Sequence, residues 1–303
     1  MSRAVGVIGV PTSAGAFAPG QERAPGALRR AGLLDELIAA GLDVHDHGDR
    51  QEWRWRPDRE SPRSQNVLKV VEIVRDTARR VSDARAAGEL TLVLGGDCTV
   101  GIGTVAGHVA DDERLGLLYF DQHADLNVPD SVPEGALDWM GMAHMLGVEG
   151  AVPELVACGP RAPMLAPEQV LLFGWGREQA TAFELQAIDD HGIDVISDEL
   201  VAAGPEAAAG DALERIGARC DRVLVHFDVD VIDFTDFPLS ENTGRNQGLS
   251  FELAGRALAS LLASELVAGL TITELNPDHA EREHSLELFA RGVAGAVAGT
   301  GAA

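Results

Sequence analysis

LLYFDQHADLN, residues 117–127, decides how the rest of the chain is read. An apolar run of strand formers passes directly into Asp121, His123 and Asp125, three ionisable side chains at every second position. In an extended chain that spacing turns all three toward one side. Oxygen and nitrogen donors directly behind a buried strand are what a functional strand end in a parallel α/β sheet looks like. Taken alone, the DxHxD run fits either a metal site or a strand that stops in an acid-rich loop.

Working outward, short apolar runs of the same kind recur along the chain. They are AVGVIGV near residue 4, LDVHD near 42, LTLVLGG near 90, LGLLYFD near 115, QVLLFG near 169, GIDVIS near 192, RVLVHFDVD near 222 and VAGLTITEL near 267. Helical periodicity fills the gaps, as in APGALRRAGLLDELIAAG (24–41), with Pro25 near its start and Gly41 at its end. FELAGRALASLLASE (251–265) follows Ser250 as a candidate N-cap. Alternation of this kind predicts an α/β fold with a central, mainly parallel eight-stranded sheet between helical layers, built as one domain over residues 1–303. EWRWRPDRESPRSQN (52–66) is a charged, proline-bearing loop whose Trp53 and Trp55 cap a substrate mouth, pack a subunit contact or pin the loop. The opening GVIGVPTSAG lacks the GxGxxG spacing of a dinucleotide site.

Bulk properties narrow the function. With 303 residues and 46% hydrophobic content the chain can bury a substantial core. Forty-eight acidic against 24 basic side chains, a formal net charge of −24, would repel a phosphate backbone, so no nucleic-acid partner is expected, whereas a cationic ligand is compatible. The apolar run in MSRAVGVIGV is too short to span a bilayer and is broken by Pro11, so no membrane partner or export is expected. Cys98, Cys158 and Cys220 are odd in number and form no CxxC pair, which points to a reducing cytoplasm. Cys158 and Cys220 read as small core residues.

Two further strand ends supply partners for the first. RVLVHFDVDVID (222–233) carries Asp228 and Asp230, again two apart, and LTLVLGGDCTVG (90–101) ends in a glycine turn followed by Asp97 and Cys98. If the three ends converge, the four carboxylates of Asp121, Asp125, Asp228 and Asp230, the imidazole of His123 and the thiol of Cys98 surround a shared point. That set fits two divalent cations roughly 3.5–4 Å apart. Coincidental strand-end acids would need a separate explanation for each cluster; a dinuclear centre accounts for all of them together.

In order along the chain, GVPTSAGAFAPGQERAPGALRRAGL, LVLGGDCTVG, FDQHADLN, HFDVDVID and TITELNPD resemble the signature blocks of the ureohydrolase family, the arginase and agmatinase group of manganese-dependent hydrolases. The resemblance covers nearly the whole chain. It implies a single α/β domain with a central eight-stranded parallel sheet, a homo-oligomer, and a pair of Mn2+ ions whose shared hydroxide attacks a guanidinium carbon to release urea. Carried over position by position, it makes Asp121 and Asp228 bridging carboxylates. Asp125 and Cys98 would complete one metal, and His123 and Asp230 the other. Glu274 falls where the family holds the substrate guanidinium, a role suited to a carboxylate that can pair with a planar cationic fork. Asn127 lies where family members help recognise the far end of the substrate.

Several positions depart from the family pattern. Cys98 stands where a histidine ligand is usual, and a soft thiolate favours Zn2+, Co2+ or Fe2+ over Mn2+. A helix starting at Thr99 and Val100 would also lower a thiol pKa, which leaves Cys98 open as a nucleophile. Asp138, in GALDWMGMAHMLG, occupies the place of a proton-transfer histidine, and His144, six positions on, reads as a packed or surface residue. Glu134 stands where amino-acid-specific members have a serine that contacts the substrate carboxylate, and a carboxylate there would repel one. FGWGREQATAFE (173–184) offers no evident acid for an α-amino group, so plain L-arginine is not the expected substrate. The loop DFTDFPLSENTGRNQGLS (233–250), with Asp233, Asp236 and Arg245, is either a specificity loop or an ordinary solvated connection.

The expectation is therefore a metal-dependent hydrolase that cleaves a C–N bond of a small cationic linear guanidine or amidine. Three alternatives stand beside it: an N-hydroxyguanidine hydrolase of a specialised pathway, thiol-based amidine chemistry at Cys98, and a catalytically silent ligand-binding or oligomer-forming subunit.

Overall fold

Each of the eight apolar runs forms a strand. A computed structural model describes residues 3–110, 113–280 and 284–299. Its strands are β1 (Ala4–Gly9), β2 (Asp43–Asp49), β3 (Leu90–Leu94), β4 (Leu115–Phe120), β5 (Val170–Trp175), β6 (Asp194–Ser197), β7 (Arg222–Asp228) and β8 (Val267–Thr273). All pair in parallel, in the order β2-β1-β3-β8-β7-β4-β5-β6. The central strands are buried on both faces, which is why they read as unbroken apolar runs rather than alternating ones. The polar β2, DVHDHGD, lies at an edge, where charge discourages further strand pairing.

Helices cover both faces. Val5, Leu92, Phe120, Phe227 and Ile272 turn into one core layer with residues of the helices Leu33–Ala39, Pro205–Gly217, Phe251–Leu262 and Ser285–Ala298. Ile8, Val93, Tyr119 and Leu172 turn into the other, against the helices Val67–Ala86 and Val100–His108. Stretch 24–41 differs from the single helix its periodicity suggests. It is two helices, Ala24–Arg30 and Leu33–Ala39, because Gly32 adopts a left-handed φ of 86° that ends the first and redirects the chain.

Topology positions the site. β3 and β4 are consecutive in sequence yet stand apart in the sheet, with β8 and β7 between them. A change of winding direction of this kind opens a crevice at the carboxyl ends of the strands, the usual ligand position in an open α/β sheet. Register sets the levels: Phe120 lies beside Phe227, and Asp228 beside Thr273. The ends of β3, β8, β7 and β4 therefore share one rim.

The segment 52–66 returns to β1, with Trp53 N donating to Pro11 O and Ser13 N to Trp53 O. Trp53 is half-buried and packs against the core, so it pins this loop. No described helix is long and apolar enough to cross a membrane.

His108, at the end of its helix, is buried with Nε2 2.9 Å from Thr91 Oγ1, and burial, aided by Arg85, pushes its pKa down to about 3. An unfolded histidine takes its proton near pH 6.5, so this contribution is complete above that pH and is lost as pH falls toward 3. Urea unfolding of the wild type at pH 7 and pH 5 should therefore differ by about 2 kcal/mol more than it does for His108→Gln.

Candidate metal centre

Local structure aims each donor. After β3 the chain turns at Gly96, where a Cβ would lie 1.6 Å from Thr12 O, so only glycine lets the turn pass against the end of β1. Asp97 braces this turn, accepting from Gly15 N at 3.0 Å and Thr99 N at 3.1 Å, and Cys98 follows just ahead of the helix Val100–His108. At the end of β4, Asp121 Oδ1 accepts from His123 N at 2.6 Å. Two residues on, Asp125 takes a left-handed φ of 49°. At the end of β7, Asp228 Oδ1 accepts from Asp230 N at 2.7 Å. Glu274, with φ 58°, leaves β8 by donating its N–H to Gly96 O at 2.8 Å.

Two donor groups result. The ligating atoms of Cys98, Asp121, His226 and Asp228 all lie within 4.8 Å of one another, and so do those of Asp121, His123 and Asp230. Asp121 belongs to both, the position of a carboxylate shared by two cations. His123 Nδ1 is 3.0 Å from Asp230 Oδ2, and Cys98 Sγ is 2.8 Å from Asp228 Oδ2. Asp125 falls outside both groups; it lines the same cavity and accepts from the buried Tyr119 hydroxyl at 2.5 Å. His226 is a further donor that lies inside the strand run RVLVHFDVD. Its signal was present in HFD: two residues before Asp228, it shares that residue's face of β7.

Electrostatics require a counter-charge. Burial, then Asp230 and Asp121, holds the Asp228 carboxyl well above the usual range. Burial followed by Asp230 pushes Asp121 up to about 7, and burial followed by Asp121 raises Asp125. Asp121 Oδ2 and Asp230 Oδ1 are buried and accept no hydrogen bond. Packed acids with orphaned oxygens fit divalent cations, which would supply the missing partners. The Cys98 thiol is also raised, by burial and then by Asp228, Glu274, Asp125 and Asp121. That outweighs the helix start expected to lower it, and a lone thiolate is disfavoured here unless a cation replaces its proton.

Above this floor opens a cavity of about 660 Å³. Glu274, Asn127, Glu134 and Asp138 all line it, together with Glu241 and the stacked pair Phe17 and Trp139. Among the described residues its lining includes no lysine or arginine. Glu274 Oε1 accepts from Cys98 N at 2.8 Å and Oε2 from Gln21 Nε2 at 2.9 Å. Asn127 Oδ1 is held by Ser131 Oγ at 3.0 Å and Thr181 Oγ1 at 2.9 Å. Glu134 is exposed at the rim, whereas Asp138 is buried and raised by burial and Asp97. Glu184, within the stretch that offered no evident acid, reaches the lining, but its oxygens accept from Leu126 N and Thr181 N and so serve the backbone. Trp53 and Trp55 are not among the lining residues, and His144 is packed in the core.

The chain matches the profile of the arginase family over residues 3–298. It belongs to the arginase family. An arginase from Bacillus caldovelox is 29% identical over 282 residues, 92% of each chain, and one from Staphylococcus aureus is 28% identical over 94% of each. The solved B. caldovelox arginase superposes with a TM-score of 0.84 at 27% identity, covering 98% of this chain and 97% of that one. The fold extends to a formimidoylglutamase from Bacillus subtilis, with a TM-score of 0.75 at 19% identity over 99% of this chain and 88% of that one. Arginase-family enzymes hydrolyse C–N bonds of guanidines and amidines with a binuclear manganese centre. The two donor groups here gather at the carboxyl ends of β3, β4 and β7 of this sheet.

Asp121→Asn and Asp228→Asn should each lower bound divalent metal from about two equivalents per chain to one or fewer, read by elemental analysis after gel filtration.

Proposed function

We propose that this arginase-family chain, acting as one domain, hydrolyses a C–N bond of a linear guanidine or amidine that carries a second cation and no free carboxylate. An agmatine-like guanidinoalkylamine is the model substrate. The observation that carries this reading is Glu274. Its two oxygens are each fixed by one donor, Cys98 N and Gln21 Nε2, and each keeps a lone-pair direction for a substrate N–H. A carboxylate so held suits the planar, permanently charged guanidinium fork.

Cys98, Asp121, His123, Asp228 and Asp230, joined by His226, are the residues proposed to hold the cations, with Asp125 lining the same cavity beside them. When bound, a divalent pair supplies Lewis acidity and a water nucleophile active near neutral pH. Glu274 orients the guanidinium carbon over that floor. Asp138 Oδ1 accepts from Trp139 N at 3.0 Å, which leaves Oδ2 to carry the proton that the leaving amine requires. Its raised pKa keeps that carboxyl protonated nearer neutrality than an exposed aspartate would be. Toward the mouth, Glu134 and Glu241 favour a distal ammonium and oppose a distal carboxylate. Asn127, tied to Ser131 and Thr181, presents its amide N–H groups to the same end. These features support such a substrate over the L-arginine implied by the names of the relatives.

One observation favours an N-hydroxyguanidine as the second reading. Gln21 Oε1 is buried beside Glu274 and has no hydrogen-bond donor, so it offers an acceptor to a hydroxyl on the guanidine.

A guanidinoalkylamine should be turned over with kcat/KM at least about tenfold above that for L-arginine, and the reverse order in a steady-state panel removes the substrate proposal. Glu274→Gln should lower kcat/KM by about 100-fold or more with metal content unchanged. Absence of turnover across the panel in fully metallated protein would instead support a silent subunit.

A further inference from the structure

His226 lies on β7 in register with Tyr119 of β4, and the two rings stack at 4.3 Å between centroids and 11° between planes. That contact fixes the imidazole against the sheet face below Asp228. Its Nε2 stands 3.4 Å from Cys98 Sγ and 3.0 Å from Thr273 Oγ1. Its Nδ1 is buried without a partner and faces Gly101, where a Cβ would come within 2.6 Å of it. Glycine at 101 is thus what leaves room for the ring in this orientation.

We propose that His226 is a metal ligand, and that with Cys98 it makes one of the two cation positions a thiolate–imidazole site selecting Zn2+ or Co2+ over Mn2+. This rests on the metal-dependent reading above. The Sγ to Nε2 separation of 3.4 Å is close to the donor–donor spacing of about 3.5 Å that Zn–S and Zn–N bond lengths give in a tetrahedral site. Asp121 and Asp228 complete a set of one sulfur, one nitrogen and two carboxylate donors within 4.8 Å of one another. The second group, Asp121, His123 and Asp230, contains no sulfur. Soft sulfur beside imidazole suits Zn2+ and Co2+, whereas the harder set suits Mn2+, so the two positions differ in what they prefer. The loop after β3, which carries a thiol where the ureohydrolase pattern has an imidazole, is complemented by an imidazole two strands away in the sheet order. A Cys98–His226 thiol dyad acting without metal is the competing assignment of the same pair.

The test uses the full chain, stripped with a chelator and titrated anaerobically with Co2+ and separately with Mn2+ and Zn2+. It reads metal stoichiometry by elemental analysis and the sulfur-to-cobalt charge-transfer absorption. The first Co2+ equivalent should bring in the charge-transfer band, Zn2+ should displace it, and Mn2+ at equal concentration should not. Cys98→Ser should abolish the band. His226→Gln should retain sulfur ligation but weaken binding of that equivalent by about tenfold or more and shift the band. A His226→Gln protein with unchanged Co2+ affinity and spectrum overturns the assignment while leaving the metal-dependent reading intact. A wild-type chain that binds no metal removes both. If the His226 variant does not fold, X-ray absorption of the wild type with one Zn2+ equivalent decides: one sulfur with one imidazole supports the assignment, and sulfur with oxygen alone overturns it.

Discussion

Acidic side chains that share a water-poor floor cannot all be ionised without a counter-charge, and this constraint organises the molecule. Asp121, Asp228 and Asp230 are buried, and their carboxyls lie within reach of one another. In the folded chain each must hold a proton, pair with a neighbour such as His123, or meet a cation. Orphaned oxygens on Asp121 and Asp230 show that pairing within the protein is incomplete. The site is therefore a preformed demand for positive charge, enclosed by a scaffold that does not relax to remove it.

That scaffold is the sheet. Consecutive strands β3 and β4 are separated by β8 and β7, so four strand ends far apart in sequence meet on one rim. Parallel pairing keeps all of these ends pointing the same way, and the register fixes their heights. Glycine at 96 lets the β3 turn press against Thr12, and Asp97 then ties that turn to Gly15. Hydrogen bonds of this kind decide where Cys98 and Glu274 stand, although neither Gly96 nor Asp97 belongs to the donor groups.

Above the rim the same excess of negative charge continues in a different role. Glu274, Glu241 and Glu134 line a cavity to which, among the described residues, no lysine or arginine contributes. An acidic lining over an acidic floor favours positive charge at both depths, which is the basis of the proposed metal pair below and organic cation above. The overall charge of −24 extends that bias to the whole surface. Glu184 is the counterexample that limits the reading: an acid in the wall whose oxygens are committed to backbone N–H groups contributes structure rather than recognition.

By itself the sequence determined the strand set, the parallel α/β class and the residue types at the strand ends, because burial on two faces and period-two spacing are local properties. DxHxD after β4 and DVD after β7 were legible for the same reason. The substrate-facing role proposed for Glu274 was suggested only by the ordered family blocks, since a single glutamate after a strand carries no local signal. Only the tertiary structure decided that His226 stands beside Cys98, that Asp125 stands apart from the compact donor groups, and that Glu184 is occupied. Those outcomes depend on which strands are neighbours and on which lone pairs the backbone has already taken. Sheet order and hydrogen-bond occupancy arise from packing between distant segments, so no stretch of sequence contains them.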